Sequence, residues 1–353
     1  MRAVVLVGGF GTRLRPLTLG TPKQMLPVVG ITMLERVIAR LHSFGVDDAV
    51  LSLGYRPDAF AAAFPDGICA GVKMHYAVEP EPLDTAGAIR FAAEHAGIDE
   101  RFLAVNGDVL SDLDITGLWA RHASTGAQAT IALTPVDDPS RYGVVPLHED
   151  GQVEAFIEKP DAGTAPSNWI NAGTYVLEPS VLELIKPEVK VSIEREVFPA
   201  LVGDGLYGFE AAGYWIDIGT PERYLESTWD LLAGRVASTL PERDETGSLV
   251  YDGCLLSGAH VGPMSVIGPH CSVGTDARVE RSVLHERVQV GADAHVDESV
   301  LAERVRVGER ARVGKGAMVG AGARIGEDAV IAEGARIDPG TEVVAGARVE
   351  AGA

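Results

Sequence analysis

From residue 307 onward an aliphatic residue recurs every six positions: Val307, Val313, Val319, Ile325, Ile331, Ile337, Val343 and Val349. Four residues after each stands a small one: Ala311, Ala317, Ala323, Ala329, Ala335, Thr341, Ala347 and Ala353. Val261, Ile267, Val273 and Val279 keep the same period, and the phase slips by one residue at VERSV (279–283) and at VDESV (296–300). Neither a helical nor a simple strand period accounts for a strict six. A hexapeptide left-handed parallel β-helix does, with each aliphatic side chain inside a narrow prism and each small one near a corner.

The first two-thirds follow a different rhythm. TMLERVIARLHSFGV has apolar residues at helical spacing and stops at Gly45, and TPERYLESTWDLLAG reads as a helix closed by Gly234. VVLV at 4–7, DAVLSLGY, FLAVNGDVL, ATIALTPV, VEAFIEKP and NAGTYVLEP read as strands. Alternating strands and helices predict a Rossmann-like α/β domain with a mainly parallel sheet, whose ligands lie beyond the carboxyl ends of the strands. The expected organisation is an α/β domain over 1–234, a polar linker over 235–249 and the β-helix over 250–353. The change of period marks two separate hydrophobic cores.

Composition narrows the partners. Thirty basic against fifty acidic residues give a formal charge of −20, which argues against nucleic acid or an anionic membrane. No apolar stretch reaches membrane-spanning length and no signal peptide is visible. Cys69, Cys254 and Cys271 are scattered, as in a reduced cytoplasmic protein.

The chemistry starts directly behind the first strand. In GGFGTRLRPLT, Gly8, Gly9 and Gly11 are expected to take positive φ and bring backbone N–H groups close to an anion. Arg13 and Arg15 supply guanidinium forks, and Lys23 stands between Pro22 and Pro27, placed as a second cation on a polyphosphate. The stretch lacks the Gly-Lys-Ser/Thr of a P-loop, and Leu14 stands where a dinucleotide fingerprint needs its third glycine. Asp108 follows the strand FLAVNG and Asp217 interrupts the apolar run YWIDIG. Both suit Mg²⁺, which is held by one or two carboxylates plus phosphates.

GGFGTRLRPLT with PKQMLP, EPEPLDTAG, NGD, EKP, NAGTYV, SIEREVFP and YWIDIGTP together resemble the sugar nucleotidyltransferases, within them the mannose-1-phosphate guanylyltransferases. The resemblance spans both domains. It implies transfer of a nucleotidyl group, GMP from GTP in the first instance, to a sugar 1-phosphate such as mannose 1-phosphate, with Mg²⁺ as cofactor. It implies catalytic roles for Arg13, Lys23, Asp108 and Asp217, with Asp108 and Asp217 on the metal. Nucleotide contacts fall to Leu6, Gly8, Gly9, Gly11, Thr12, Arg13, Lys23, Glu79, Thr85, Ala86 and Gly87. Sugar-phosphate contacts fall to Gly107, Asp108, Gly143, Glu158, Lys159, Asn171, Gly173 and Arg195. The chain departs from the family at Gln24, where a proline is usual, and at Asp84, where a glycine is usual.

Glu79 bears on the base. A carboxylate accepts only, which suits the paired N1–H and N2–H₂ donors of guanine better than thymine or uracil. The same reaction with dTTP, UTP or ATP and glucose 1-phosphate or a cyclitol phosphate stays open at this level. So does a non-catalytic subunit that senses nucleotide sugars. His260, His270, His285 and His295 fall outside the six-spaced positions, as bases of an acyltransferase or as exposed corner residues. A rigid prism suits assembly into a homo-oligomer.

Overall fold

The computed structural model describes residues 1–54, 57–238 and 240–352; Tyr55 and Ala353, read above as a strand end and a corner residue, lie outside them. Packing divides the chain into two compact units, Met1–Gly9 with Leu34–Trp215, and Phe10–Met33 with Ile216–Ala353. This division cuts across the 234/250 boundary and assigns the Arg13–Lys23 segment to the unit that holds the β-helix.

In the first unit, β1 (Arg2–Leu6), β2 (Asp48–Leu53), β3 (Val72–Val78) and β4 (Phe102–Asn106) form a parallel core in the order β4-β1-β2-β3. β5 (Ala129–Pro135) and β6 (Trp169–Leu177) extend it, β6 pairing antiparallel with both β4 and β5. β7 (Leu206–Glu210) lies parallel to β5. The sheet is therefore mixed but mostly parallel at its centre. α1 is Met33–Ser43 and α2 is Asp84–His95, whose Ala86, Ile89, Ala92 and Ala93 join Val4, Val50, Ala77 and Ala104 of the strands in one buried core. VEAFIEKP is less regular than its pattern suggests, with strand pairing only at Ile157–Glu158 and an isolated bridge at Val153.

In the second unit, residues 249–349 wind into three six-stranded, all-parallel sheets, the three walls of the expected prism. Leu249 pairs Val266, Val266 pairs Val283 and Val283 pairs Val300, each 17 residues apart. Val300 then pairs Met318 and Met318 pairs Arg336, 18 apart. The phase slips are the short sides of the 17-residue coils. Four buried serines 17 residues apart, Ser248, Ser265, Ser282 and Ser299, stack along these coils. The N–H groups of Ser265, Ser282 and Ser299 donate to the preceding serine's Oγ at 3.1, 3.4 and 3.1 Å. Ser248, Ser265 and Ser299 Oγ in turn donate to the carbonyls of Gly262, Val279 and Gly314. The ladder satisfies polar groups that a shortened coil would otherwise bury unpaired.

One wall of the prism is covered within the same unit: Leu249, Val266, Val283, Val300 and Met318 point outward and are buried. α3 (Pro221–Leu232), N-capped by Thr220, packs there. Trp229 Nε1 donates to Arg281 O at 3.0 Å, and the Arg281 guanidinium lies 3.9 Å above the indole. Tyr251 donates to Val29 O at 3.0 Å. Tyr224 donates to Pro27 O and contacts His285 Nε2 at 3.0 Å. His285 is thus buried rather than an exposed corner residue, because α3 covers its coil. Burial lowers its pKa from 6.5 to about 4. The unfolded chain therefore takes up this proton first, and stability present above pH 6.5 is lost as pH falls toward 4. His122, also buried, shifts in the same direction, chiefly through burial. We expect acidification from pH 7 to 4.5 to remove about 2–3 kcal/mol through His285. Urea midpoints of wild type and His285→Gln across that range check this: the variant should show the shallower slope.

Candidate active site

In the first unit, β1 and β4 run side by side with Leu6 opposite Asn106, so the chain after each leaves the sheet at the same edge. Gly107 N donates to Leu6 O at 2.9 Å, and a Cβ at Gly107 would lie 2.7 Å from Val7 Cγ1. Only glycine fits this crossing, and it delivers the half-buried Asp108 beside the start of the Gly8–Gly9 loop. Gly8 and Gly9 do not take positive φ; of the three loop glycines only Gly11 does, at 57°. Nothing lies within 4 Å of a Cβ built on Gly9, so its missing side chain leaves open surface instead.

β6 contributes a bulge at the same end of the sheet. Asn171 Oδ1 accepts from Gly173 N and its Nδ2 donates to Tyr175 Oη, both at 2.9 Å. Burial pushes the Tyr175 hydroxyl well above 10, so it stays protonated. Gly173, at φ 73°, packs so tightly that a Cβ would meet Asn106 Nδ2 at 2.5 Å. Gly143 pairs with Glu158, and Lys159 Nζ reaches Glu158 Oε1 at 3.3 Å. The Arg195 side chain is exposed and engages none of the described residues.

The EPEPLDTAG loop is more self-contained than its sequence suggests. Glu79 Oε1 accepts from Ser52 Oγ and Oε2 from Leu83 N, both at 2.9 Å. Thr85 Oγ1 donates to Glu194 Oε2 at 2.7 Å and accepts from Ile193 N at 2.9 Å. Ala86 and Gly87 N both donate to Val191 O. These N–H groups are spent inside the protein and do not form a backbone anion cradle. Asp84 sits at φ 60°, which explains why glycine suits the position; its Oδ1 accepts from Thr85 N at 2.8 Å. Ser52 and Glu194, which hold this loop, had no signal in the sequence: Ser52 lies inside an apolar strand, and SIERE draws the eye to its arginine.

In the second unit, Gly11 opens a single helical turn, Thr12–Leu14. A Cβ there would press on Thr18 at 3.0 Å and Lys23 at 3.1 Å, so the glycine lets the loop close onto the lysine. Lys23 is 7% exposed and its Nζ lies 3.4 Å from Asp217 Oδ1. A buried ammonium requires such a partner. Arg13 Nη2 and Asp217 Oδ2 both come up to Gly219, 2.7 and 3.1 Å from where its Cβ would stand. Arg13, Lys23 and Asp217 therefore converge, two cations about one carboxylate. Gln24 beside them is buried, and its Oε1 has no hydrogen-bond partner among the described residues.

No group of three or more His, Cys, Asp or Glu side chains among the described residues forms a ready metal cluster. Mg²⁺ does not need one, because it draws most of its ligands from substrate phosphates and water. Asp108 and Asp217 each supply the hard oxygen donor it prefers, so the residues present fit such an ion. No helix among the described residues is long and apolar enough to cross a membrane.

The Nucleotidyl transferase family profile matches residues 2–234, and that of the GMPPB C-terminal domain matches 255–343. The chain belongs to the nucleotidyl transferase family. This nucleotidyl transferase is 40% identical to a mannose-1-phosphate guanylyltransferase of Mycobacterium tuberculosis, over 81% of the chain and 80% of that protein. It is 38% identical to a mannose-1-phosphate guanylyltransferase catalytic subunit beta of Dictyostelium discoideum, over 76% and 73%. HddC from Yersinia pseudotuberculosis, solved as a complex with GMP-PN, superposes with a TM-score of 0.54 at 30% identity, over 64% of this chain and 97% of that one. Nucleotidyl transferases typically work with a divalent metal.

Proposed function

We propose that the protein transfers GMP from GTP to mannose 1-phosphate, giving GDP-mannose and pyrophosphate. The observation that carries this reading is the convergence of Arg13, Lys23 and Asp217 behind the glycine loop; the guanylyltransferase names of its relatives support the base and the sugar. An oxygen of the sugar phosphate attacks the α-phosphorus of GTP, the bond to the β-phosphate's bridging oxygen breaks, and pyrophosphate leaves with that electron pair. The attacking monoester is already ionised near neutral pH, its second pKa being about 6, so no general base is needed. Arg13 and Lys23 neutralise the charge that grows on the departing phosphates. Asp108 and Asp217 are the carboxylates assigned to Mg²⁺, which when bound neutralises phosphate charge and orients the displacement. Glu158, Lys159, Asn171 and Gly173 are assigned to the sugar phosphate. Residues 1–234 are taken as the catalytic part and 250–353 as an assembly element for like copies. The cytoplasm suits the free thiols of Cys69, Cys254 and Cys271.

A panel of GTP, dTTP, UTP and ATP against mannose 1-phosphate and glucose 1-phosphate, read by pyrophosphate release, tests the reading. GTP with mannose 1-phosphate should give the highest kcat/KM, and any other leading pair overturns it.

Glu79 is the residue to vary for the base. A glutamine keeps its shape, with Oε1 still able to accept from Leu83 N and Nε2 able to donate to Ser52 Oγ. The variant should therefore fold normally while losing the acceptor-only face. The GTP-to-dTTP ratio of kcat/KM should fall by about tenfold in Glu79→Gln, the effect of one mispaired polar group. A ratio unchanged by the substitution assigns Glu79 only to the loop.

A further inference from the structure

A cavity of about 330 Å³ lies inside the second unit, between residues 21–30 and the early coils of the prism. Its walls are chiefly apolar, with Met25, Leu26, Val29, Val266, Val283 and Leu284 prominent. A dry cavity of roughly 150 Å³ already holds benzene, so this one has room for a two-ring molecule. Among the described residues no lysine or arginine lines it. Glu286 and Glu303 at its edge are each paired with the adjoining arginine, Arg287 at 2.8 Å and Arg304 at 3.2 Å. A phosphate or carboxylate would find no counter-charge here.

One wall group is polar, deeply buried and half used. His285 is 6% exposed, and its Nε2 lies 3.0 Å from Tyr224 Oη. The Tyr224 hydroxyl donates to Pro27 O, so its oxygen accepts, and Nε2 must carry the hydrogen. Burial keeps the ring neutral. Nδ1 is then a bare acceptor, and it engages none of the described residues. Thr21 and Met25, on either side of Lys23 in the chain, also line the cavity, so whatever fills it braces the segment carrying that lysine.

We propose that the cavity binds an uncharged, mainly apolar molecule with one N–H or O–H donor, which bonds His285 Nδ1 and acts as an effector of the Lys23 segment. Binding is independent of the proposed reaction, whereas the effect on turnover rests on that reading.

Indole is a suitable probe, being flat, apolar and equipped with one N–H. Benzothiophene has the same outline and no donor. Calorimetric titration of the full-length protein should show one indole bound per chain, and benzothiophene weaker by about threefold to tenfold. Val283→Phe, which fills the cavity, should weaken indole by at least about tenfold, the loss expected when a pocket is occupied by side chain. His285→Phe should abolish the preference for indole over benzothiophene. Saturating indole should shift the KM for the nucleoside triphosphate while leaving that for the sugar phosphate unchanged. No saturable binding, or equal binding of both probes by wild type, overturns the site. Binding that leaves the triphosphate KM unmoved overturns its role as an effector site. If the panel above identifies a different triphosphate, the proposed reaction fails while the calorimetric result stands.

Discussion

Asp108→Asn and Asp217→Asn should each lower kcat by at least about a hundredfold, the scale on which charge neutralisation acts in phosphoryl chemistry. Both substitutions keep side-chain shape and remove one negative charge. Asp217 is the partner of the buried Lys23, at 3.4 Å, so its neutralisation leaves an ammonium facing an amide. Breaking a fully buried pair costs about 3–5 kcal/mol, and the partly exposed Asp217 side chain places this pair below that range. We expect a lower Tm for Asp217→Asn. Steady-state kinetics at saturating Mg²⁺ with parallel thermal melts check both. Rates within about threefold of wild type for both variants would remove these carboxylates from the chemistry.

Truncation after residue 240 should destroy the cooperative fold rather than release an active domain. The change of period marks two separate cores, and α3 and residues 21–30 lie in the unit of the prism. α3 reaches the coils through Tyr224 on His285 and Trp229 on Arg281, and residues 21–30 reach the same coils. Removing the coils would uncover Tyr224, Trp229, Met25 and Leu26 together. Aromatic residues bury about 150–250 Å² each, so several kcal/mol would be lost from a total of about 5–15. The Arg13–Lys23 segment would lose its support with them. Circular dichroism melts and pyrophosphate release on the 1–240 fragment measure this. A cooperative melt with wild-type kcat would show that the coils are dispensable.

Both architectures were legible because each has a period that survives side-chain variation. The six-residue repeat yields the prism, and short apolar strands yield the parallel centre of the sheet. The phase slips at 279–283 and 296–300 were visible, but their cause lay in serines 17 residues apart, a spacing read only once coils are stacked. Arg13, Lys23 and Asp217 were named from the sequence, and the structure brings them together. Glu79 was named as well, yet its bond to Ser52 depends on a strand 27 residues away in the chain. Gly8 and Gly9 were assigned positive φ from composition alone, which Gly11 adopts and they do not. His285 was misjudged because burial by α3 is a tertiary fact with no local signature. Sequence patterns of this kind report a residue's own element and say little about which element covers it.

The central claim is that the nucleotidyl group of GTP passes to the sugar phosphate. GTP labelled at the α-phosphorus, incubated with mannose 1-phosphate and Mg²⁺, tests it most directly. The account predicts that all transferred label appears in GDP-mannose and that the pyrophosphate released is unlabelled. Label recovered as free GMP, or turnover that proceeds equally without mannose 1-phosphate, would contradict it.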